Sequence, residues 1–431
     1  MNQIRLENAL LLTMEPGAEL IAPGVVVTEG PTISYAGPAA SAPPSPGATV
    51  VDCSGCALLP GLVNAHTHVS MTLLRGFADD MPLQPWLEEK IWPTEMKLTG
   101  EDVYWGALLG VCEMLRGGVT CFNDMYHYYR DATRAAVDGG IRACPSGVLL
   151  GFLPNADRMA QEARDFVAET LQAAHPRLHP MLAPHAPYTC PDPLLEQVAG
   201  YADELGVPIH IHVSETAGEV KDSLEQYGKT PVERLEGLGL FRRRVAAAHC
   251  VHLTDRDIEI LAENRVGVCH CPGSNLKLAS GFAPVSRLLA AGAVVGLGTD
   301  GAASNNNLDL FQEILLVSLL DKAVTGDPTV VPAETALALA TRESARALGL
   351  EDLVGTLTPG KRADLAVVDL SKPHLQPLYH LYSQLVYSAR ADDVTLTMVE
   401  GEIVYRDGQL TQIDEAEVIA RAGESAARLT A

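Results

Sequence analysis

Apolar and polar positions along the chain fall into three regimes. Up to residue 57 the apolar runs are short: Ile4-Arg5-Leu6, Ala9 to Met14, Val25 to Thr28, Thr32 to Tyr35 and Thr49 to Val51. Gly- and Pro-rich turns separate them, notably Ala36 to Gly47, and helical periodicity is scarce, so this segment reads as a small β unit. From Gly61 to about Asp300, apolar runs alternate with longer amphipathic segments. Leu62 onward, Val119 to Phe122, Ala143 to Leu150, Met181 to Ala183, Val207 to Val213, Val245 to Ala248, Val266 to Cys269 and Val294 to Leu297 read as strands. Helices are predicted around Tyr129 to Asp138, Ala156 to Ala174 and Leu194 to Leu205. Near-continuous apolar strands separated by helices indicate a parallel sheet covered on both faces. About eight βα units in roughly 250 residues match the size of a TIM-like (β/α)8 barrel. A doubly wound open sheet is the alternative. No G-x-G-x-x-G follows any strand, so nothing points to a dinucleotide.

Beyond Asp300 the pattern predicts helices over Leu308 to Val324 and Ala333 to Leu348, the second following Pro332 and ending at Gly349. Strands return from about Leu353, at Ala363 to Asp369, Val394 to Glu400 and Glu402 to Tyr405. The expected division is therefore an α/β protein in which residues 1–57 and 353–431 build a composite β-sandwich. The barrel, residues 58–352, is inserted between them.

Composition narrows the partners. Of 431 residues, 47% are hydrophobic and 20% charged, which suits a globular protein with a large core. The net charge of −23 argues against a nucleic-acid or anionic-membrane surface and favours a small-molecule partner. No signal-peptide pattern and no membrane-length apolar run occurs, which sets the expectation of a cytoplasmic protein. Nine cysteines, an odd number, read as reduced thiols. Cys53/Cys56 and Cys269/Cys271 are small clusters that read as buried hydrophobes more readily than as structural zinc.

Candidate chemistry sits at the strand ends. In Pro60-Gly61-Leu62-Val63-Asn64-Ala65-His66-Thr67-His68, period-2 alternation puts both histidines on one face of a strand. In Ile209-His210-Ile211-His212-Val213-Ser214-Glu215, His212 lies nearer the C-terminal end of its strand, where parallel barrels carry their sites, and Glu215 follows in the loop. His249 closes another apolar run, His185 another, and Asp300 a fifth. Taken singly, each has a bland reading, as a hydrogen-bonded core histidine or a helix-capping aspartate. Five strand ends bearing His or Asp in one chain weigh against chance, and three histidines with one aspartate make a plausible mononuclear zinc shell.

These motifs resemble the amidohydrolase superfamily, in its deaminase and chlorohydrolase branch, and within it most of all the 5-methylthioadenosine/S-adenosylhomocysteine deaminases. The resemblance runs over nearly the whole length. It takes in Leu74-Arg75-Gly76 through Trp92-Pro93-Thr94-Glu95, Pro184-His185-Ala186-Pro187-Tyr188, Ala248-His249-Cys250-Val251-His252, Ser274-Asn275-Leu276-Lys277-Leu278, Gly298-Thr299-Asp300-Gly301 and Gly360-Lys361-Arg362-Ala363-Asp364. It implies His66, His68, His212 and Asp300 as ligands of one divalent ion, Zn2+ by default and Fe2+ or Mn2+ as substitutes. It implies Glu215 as the acid/base acting on a ring nitrogen, and His249 as the partner that orients or deprotonates the attacking water. Asp300 shares the proton shuttling with Glu215. Glu95 and His185 are implied as substrate contacts, and Trp86 packs against the base or simply into the core. Barrel hydrolases with two bridged metals need a modified lysine on a middle strand, and no lysine occurs between Lys97 and Lys221. A single ion is therefore expected.

The implied reaction is hydrolytic removal of ammonia from an amino-substituted N-heterocycle, most of all an adenosine derivative. An s-triazine, guanine or pterin aminohydrolase or chlorohydrolase shares the same shell, and the triazine enzymes tend to lack the glutamate at 215. A binding protein on a degenerate barrel is the reading from another class, disfavoured because no ligand or acid/base position is missing. A homo-oligomer, dimer or tetramer, is implied by resemblance alone. One departure stands out: Gly140-Ile141-Arg142 is followed by Ala143-Cys144-Pro145-Ser146-Gly147, with no arginine where the methylthioadenosine-type enzymes carry a basic contact to the 5′ end of the nucleoside.

Overall fold

A computed structural model describes residues 3–430. The chain's two ends meet in one nine-stranded sheet. Gln3–Leu11, Ile21–Glu29, Thr32–Pro38, Thr49–Asp52 and Cys56–Pro60 come from the N-terminal segment; Leu365–Asp369, Val394–Val399, Glu402–Arg406 and Gln409–Leu410 come from the C-terminal one. The seam is strand Cys56–Pro60, parallel to Gln3–Leu11 on one side and antiparallel to Leu365–Asp369 on the other, with Leu58 opposite Val367. Leu6, Leu11, Val26, Leu58, Leu365 and Met398 fill the core of this sheet.

The intervening chain is α/β, with eight parallel strands in two sets of four. Leu62–Thr67, Val119–Tyr126, Arg142–Leu149 and Ala183–Pro184 pair in that order, as do Ile209–Val213, Val245–His249, Gly267–His270 and Val294–Leu297. Every residue of these strands is buried. That is why they read as continuous apolar runs rather than alternating ones. The two sets touch at both edges. Leu182 bridges Ile209 in parallel register, and on the other side the Asp300 N–H donates to the His66 carbonyl at 3.0 Å. Asn64 and Thr299 lock that second edge through two hydrogen bonds of 2.8 and 3.0 Å.

Two elements differ from expectation. The single helix expected over Ala333 to Leu348 is two, Ala333–Leu339 and Arg342–Leu348. The break frees the Ala340 carbonyl to accept from the Val63 N–H at 2.8 Å, while Thr341, at φ −122° and ψ −99°, bonds its hydroxyl back to the Leu337 carbonyl. A C-terminal helix, Glu415–Thr430, was not anticipated. It buries Val418, Ala422, Ser425 and Leu429 along one face and packs on helix Gly100–Arg116. The stretch after Arg142, expected as a strand, is one: Arg142–Leu149, buried throughout. Arg142 itself is fully buried and donates to both Asp364 oxygens (2.9 and 3.1 Å) and to Glu400 (2.7 Å), tying the parallel strands to the terminal sheet. A paired, hydrogen-bonded charge is the form in which arginine tolerates burial. All nine cysteines are free thiols, and burial pushes Cys53 up to about 12 and Cys56 to about 11.

Candidate active site

The strand ends converge. His66 is the penultimate residue of strand Leu62–Thr67 and His68 follows the strand; their rings stand edge to face, 4.9 Å apart. His212 and His249 come from strands Ile209–Val213 and Val245–His249, stacked 5.3 Å apart. Asp300 follows strand Val294–Leu297 with φ at +60°; His249 (+69°) and Ser214 (+52°) are also left-handed. Such backbone persists only where the surroundings enforce it, and it gathers at functional sites.

Each side chain is aimed by a partner behind it. The His68 Nδ1–H donates to the Met125 carbonyl at 2.6 Å and the His212 Nδ1–H to the His185 carbonyl at 2.7 Å. Both rings therefore turn Nε2 inward, where the two nitrogens lie 3.3 Å apart. His66 Nδ1 is 2.7 Å from His210 Nε2, so a proton on His66 Nδ1 leaves its Nε2 lone pair free. Asp300 Oδ2 accepts from the hydroxyls of Ser274 (2.6 Å) and Ser304 (2.8 Å). Its Oδ1 points at His66 Nε2 and His68 Nε2, 3.3 Å from each. His66/His68/Asp300 and His66/His212/His249 each bring donor atoms within 4.8 Å of one another. His66 Nε2 and Asp300 Oδ1 are buried and make no hydrogen bond of good geometry. Unsatisfied buried acceptors at the centre of a histidine cluster are what a divalent cation satisfies, so the residues fit a metal ion.

The electrostatics agree. Burial pushes His66 down to about 4 and His212 well below the usual histidine range, keeping both rings neutral as ligation requires. Burial alone would raise Asp300, but the adjoining His66, His68 and His249 rings hold it well below the carboxylate range. Beside this cluster, burial raises the Glu215 carboxyl. Its Oε2 lies 3.8 Å from His249 Nε2. Burial would lower His249, yet the Glu215 and Asp300 carboxylates outweigh it and the ring rises. The His249 Nδ1–H donates to Asn275 Oδ1 at 2.9 Å, leaving Nε2 toward the site.

A narrow cleft opens from these groups and is walled by Trp86, Glu95, Tyr126, His127, His185 and Tyr188. It widens into cavities of about 1350 and 750 Å3. Glu95 closes helix Trp92–Glu95; burial lifts its carboxyl to about 7 against a bond from the Tyr126 side chain, and His127 Nε2 lies 3.8 Å away. His185 bonds through Nδ1 to Thr189 Oγ1 at 3.0 Å, and burial leaves its ring neutral, down to about 3. Trp86 is buried against the cleft. The structure thus brings the candidate ligand, catalytic and substrate-contact residues, His66, His68, Trp86, Glu95, His185, His212, Glu215, His249 and Asp300, to one place. Tyr126, His127 and Glu219 were missed. The first two sit at the end of strand Val119–Tyr126, whose polar tail Asn-Asp-Met-Tyr-His was a readable signal. Glu219 carried none: its oxygens accept from the backbone N–H groups of Ser214 (3.0 Å) and Glu215 (2.8 Å).

The sequence pattern of the Amidohydrolase family matches residues 57–404, four-fifths of the chain and every site residue above. The chain belongs to the amidohydrolase family. Among its relatives, the 5-methylthioadenosine/S-adenosylhomocysteine deaminase of Moorella thermoacetica is 49% identical over 403 residues, covering 93% of this amidohydrolase and 94% of the relative. The enzyme of the same description from Syntrophomonas wolfei is 46% identical over 428 residues, 99% of each chain. An adenosine deaminase from Xanthomonas campestris, solved with bound zinc, superposes with a TM-score of 0.93 at 40% identity over 99% of this chain and 98% of that one. The atrazine chlorohydrolase of Arthrobacter aurescens TC1, complexed with zinc, has a TM-score of 0.90 at 24% identity over 98% and 100% of the two chains and shares the fold.

Proposed function

We propose that this amidohydrolase is a hydrolytic deaminase that releases ammonia from a 6-aminopurine nucleoside of the 5-methylthioadenosine, S-adenosylhomocysteine or adenosine type. The observation that carries the reading is Glu215: a buried carboxyl raised by its surroundings, 3.8 Å from His249, beside a cluster of histidines with unsatisfied acceptors. A carboxyl whose proton burial holds more tightly than usual suits protonation of a ring nitrogen, and a chlorohydrolase has less need of one.

His66, His68, His212 and Asp300 would hold one divalent ion, zinc by analogy with the relatives. When bound, such an ion acts as a Lewis acid and brings the pKa of water from about 16 toward about 7. The remaining work falls to the chain. His249 Nε2 takes a proton from the water that attacks the ring carbon. Glu215 gives its proton to the adjacent ring nitrogen as charge builds there. Glu215 and Asp300 then move a proton to the amino nitrogen, which departs as ammonia and leaves a ring carbonyl. General acid–base transfer of this kind contributes about 10²–10⁴-fold. Glu95, through its carboxylate, accepts hydrogen bonds from sugar hydroxyls; His185 and Trp86 flank the base.

The same reading closes the two four-stranded sheets into one (β/α)8 barrel, residues 58–352, capped by a β-sandwich from 1–57 and 353–431. The two edge contacts, at Leu182/Ile209 and His66/Asp300, support it. No helix among the described residues is long and apolar enough to cross a membrane. We place the enzyme in the cytoplasm as a homo-oligomer acting on a small molecule. Ammonia release across adenosines, guanine, pterins and aminotriazines tests the assignment. Adenosine derivatives should be turned over fastest, and release from triazines alone would move the protein to the other branch.

A further inference from the structure

Two loops that carry the site's polar groups, 272–277 and 299–305, are tied together by one carboxylate outside it. Glu313 lies on helix Leu310–Thr325, fully buried. Its Oε2 accepts from the Gly273 N–H at 2.8 Å and its Oε1 from Asn305 Nδ2 at 2.9 Å. Asn305 Nδ2 also donates to the Thr299 carbonyl at 2.8 Å, immediately before Asp300. Gly273 opens the turn of helix that presents Ser274 to Asp300 Oδ2 (2.6 Å) and Asn275 to His249 Nδ1 (2.9 Å). The approach is close: a Cβ on residue 273 would stand 2.5 Å from Glu313 Oε1 and 2.6 Å from Asn305 Oδ1. Glycine there is required by this carboxylate, not by backbone torsion.

We infer that Glu313 is a positioning residue for the reaction, acting through Asn275 on His249 and through Ser274 and Asn305 on Asp300. It touches no reacting atom. Its effect is to fix where His249 Nε2 points, because the ring's orientation is set by the Asn275 bond and Asn275 is set by the turn that Glu313 grips. Fixing the orientation of a group that itself moves a proton acts on the chemical step more than on binding. The inference rests on the deaminase reading for its assay.

The test is kcat, KM and metal content of Glu313→Gln, alone and combined with Asn275→Ala. Glutamine keeps the size but turns an N–H toward one of the two donors. The expected single-variant result is a kcat reduced about 10- to 100-fold, the range for residues that orient others at a metal site. KM stays within about twofold and metal per chain matches the parent, as befits an interaction realised in the transition state. In the Asn275→Ala background, Glu313→Gln should cost less than it does alone, because the arm through Asn275 is already lost and only the arm through Asn305 remains. A kcat near the parent value, losses that multiply in the double variant, or metal lost in proportion to activity would each overturn the inference. If Glu313→Gln does not fold, Asn305→Ala removes the second arm alone. A kcat loss at unchanged KM is expected there, and an unchanged kcat overturns the proposal. A parent protein that released no ammonia would overturn the deaminase reading instead, so the two failures are distinguishable.

Discussion

Nδ1 of His66 lies 2.7 Å from Nε2 of His210, two neutral imidazoles sharing one hydrogen bond below the floor of the site. Both are fully buried. Strand Ile209–Val213 thus contributes twice: His212 turns into the site, while His210, two residues earlier, stands behind His66 and sets its tautomer.

Removing that acceptor should weaken the metal shell rather than the fold. His210→Ala is expected to lower zinc affinity about 10- to 100-fold, the usual cost of losing a partner behind a ligating histidine. His210→Gln, which restores an acceptor, should recover part of it. Competition with a chromophoric chelator measures both, and a His210→Ala protein that held zinc like its parent would remove His210 from the account.

Glu219 holds the backbone N–H groups of Ser214 and Glu215. Glu219→Ala leaves two buried N–H donors without partners, which costs about 1–3 kcal/mol each at most sites. The expected outcome is a lower Tm together with a kcat drop of about tenfold or more, since Glu215 loses its fixed position. A thermal melt and a kcat determination on the same sample check it; a changed Tm with normal kcat would limit Glu219 to stability.

How far the sequence carried the site can be stated residue by residue. His66, His68, His212, His249 and Asp300 were legible because strand geometry is periodic and parallel strands deliver their ends to one face. Glu215 was legible from its distance past His212. Glu219 and Glu313 were not, because an acid whose partners are loop N–H groups, of the backbone for Glu219 and of Gly273 and the Asn305 side chain for Glu313, looks like any other helical glutamate until the loops are placed. The fold shows the same split. The alternation of apolar runs predicted the parallel strands, but the two-helix break at Ala340 depends on Val63, far away in sequence, needing a carbonyl. The helix Glu415–Thr430 was hidden because its buried face carries alanine and serine alongside valine and leucine.

The cleft should titrate near neutrality. Burial raises Glu95 to about 7, so its carboxylate, the form that accepts hydroxyl protons, is lost as pH falls through that value. KM for an adenosine substrate is expected to rise below pH 7 and level off above it. Glu95→Gln should raise KM at all pH values and flatten the acid limb. KM profiles from pH 5.5 to 8.5 for both proteins decide the matter, and an unchanged acid limb in the variant would assign the titration to another group.

Acid stability offers an independent check on the seam between the parallel strands and the terminal sheet. Burial, then the neighbouring Arg142, depress His179 to about 4, and Arg142 Nη1 lies 3.2 Å from its Nε2. A depressed folded-state value means that the unfolded chain binds the proton first. The stability from this group is full above about pH 6.5, the unfolded value, and is lost as pH falls toward 4. His179→Gln, which accepts from Arg142 without titrating, should show a shallower fall in Tm between pH 6.5 and 4.5. Parallel curves would rule His179 out as a source of the acid sensitivity.

The most direct measurement of the central claim is product stoichiometry with zinc-loaded protein and 5-methylthioadenosine, run beside Glu215→Gln. The parent should release one ammonia for each 6-oxopurine formed. Glu215→Gln should keep its zinc while its rate falls about 10²-fold or more, as loss of a general acid requires. No ammonia from any amino-heterocycle, or a Glu215→Gln protein as fast as the parent, would contradict the account.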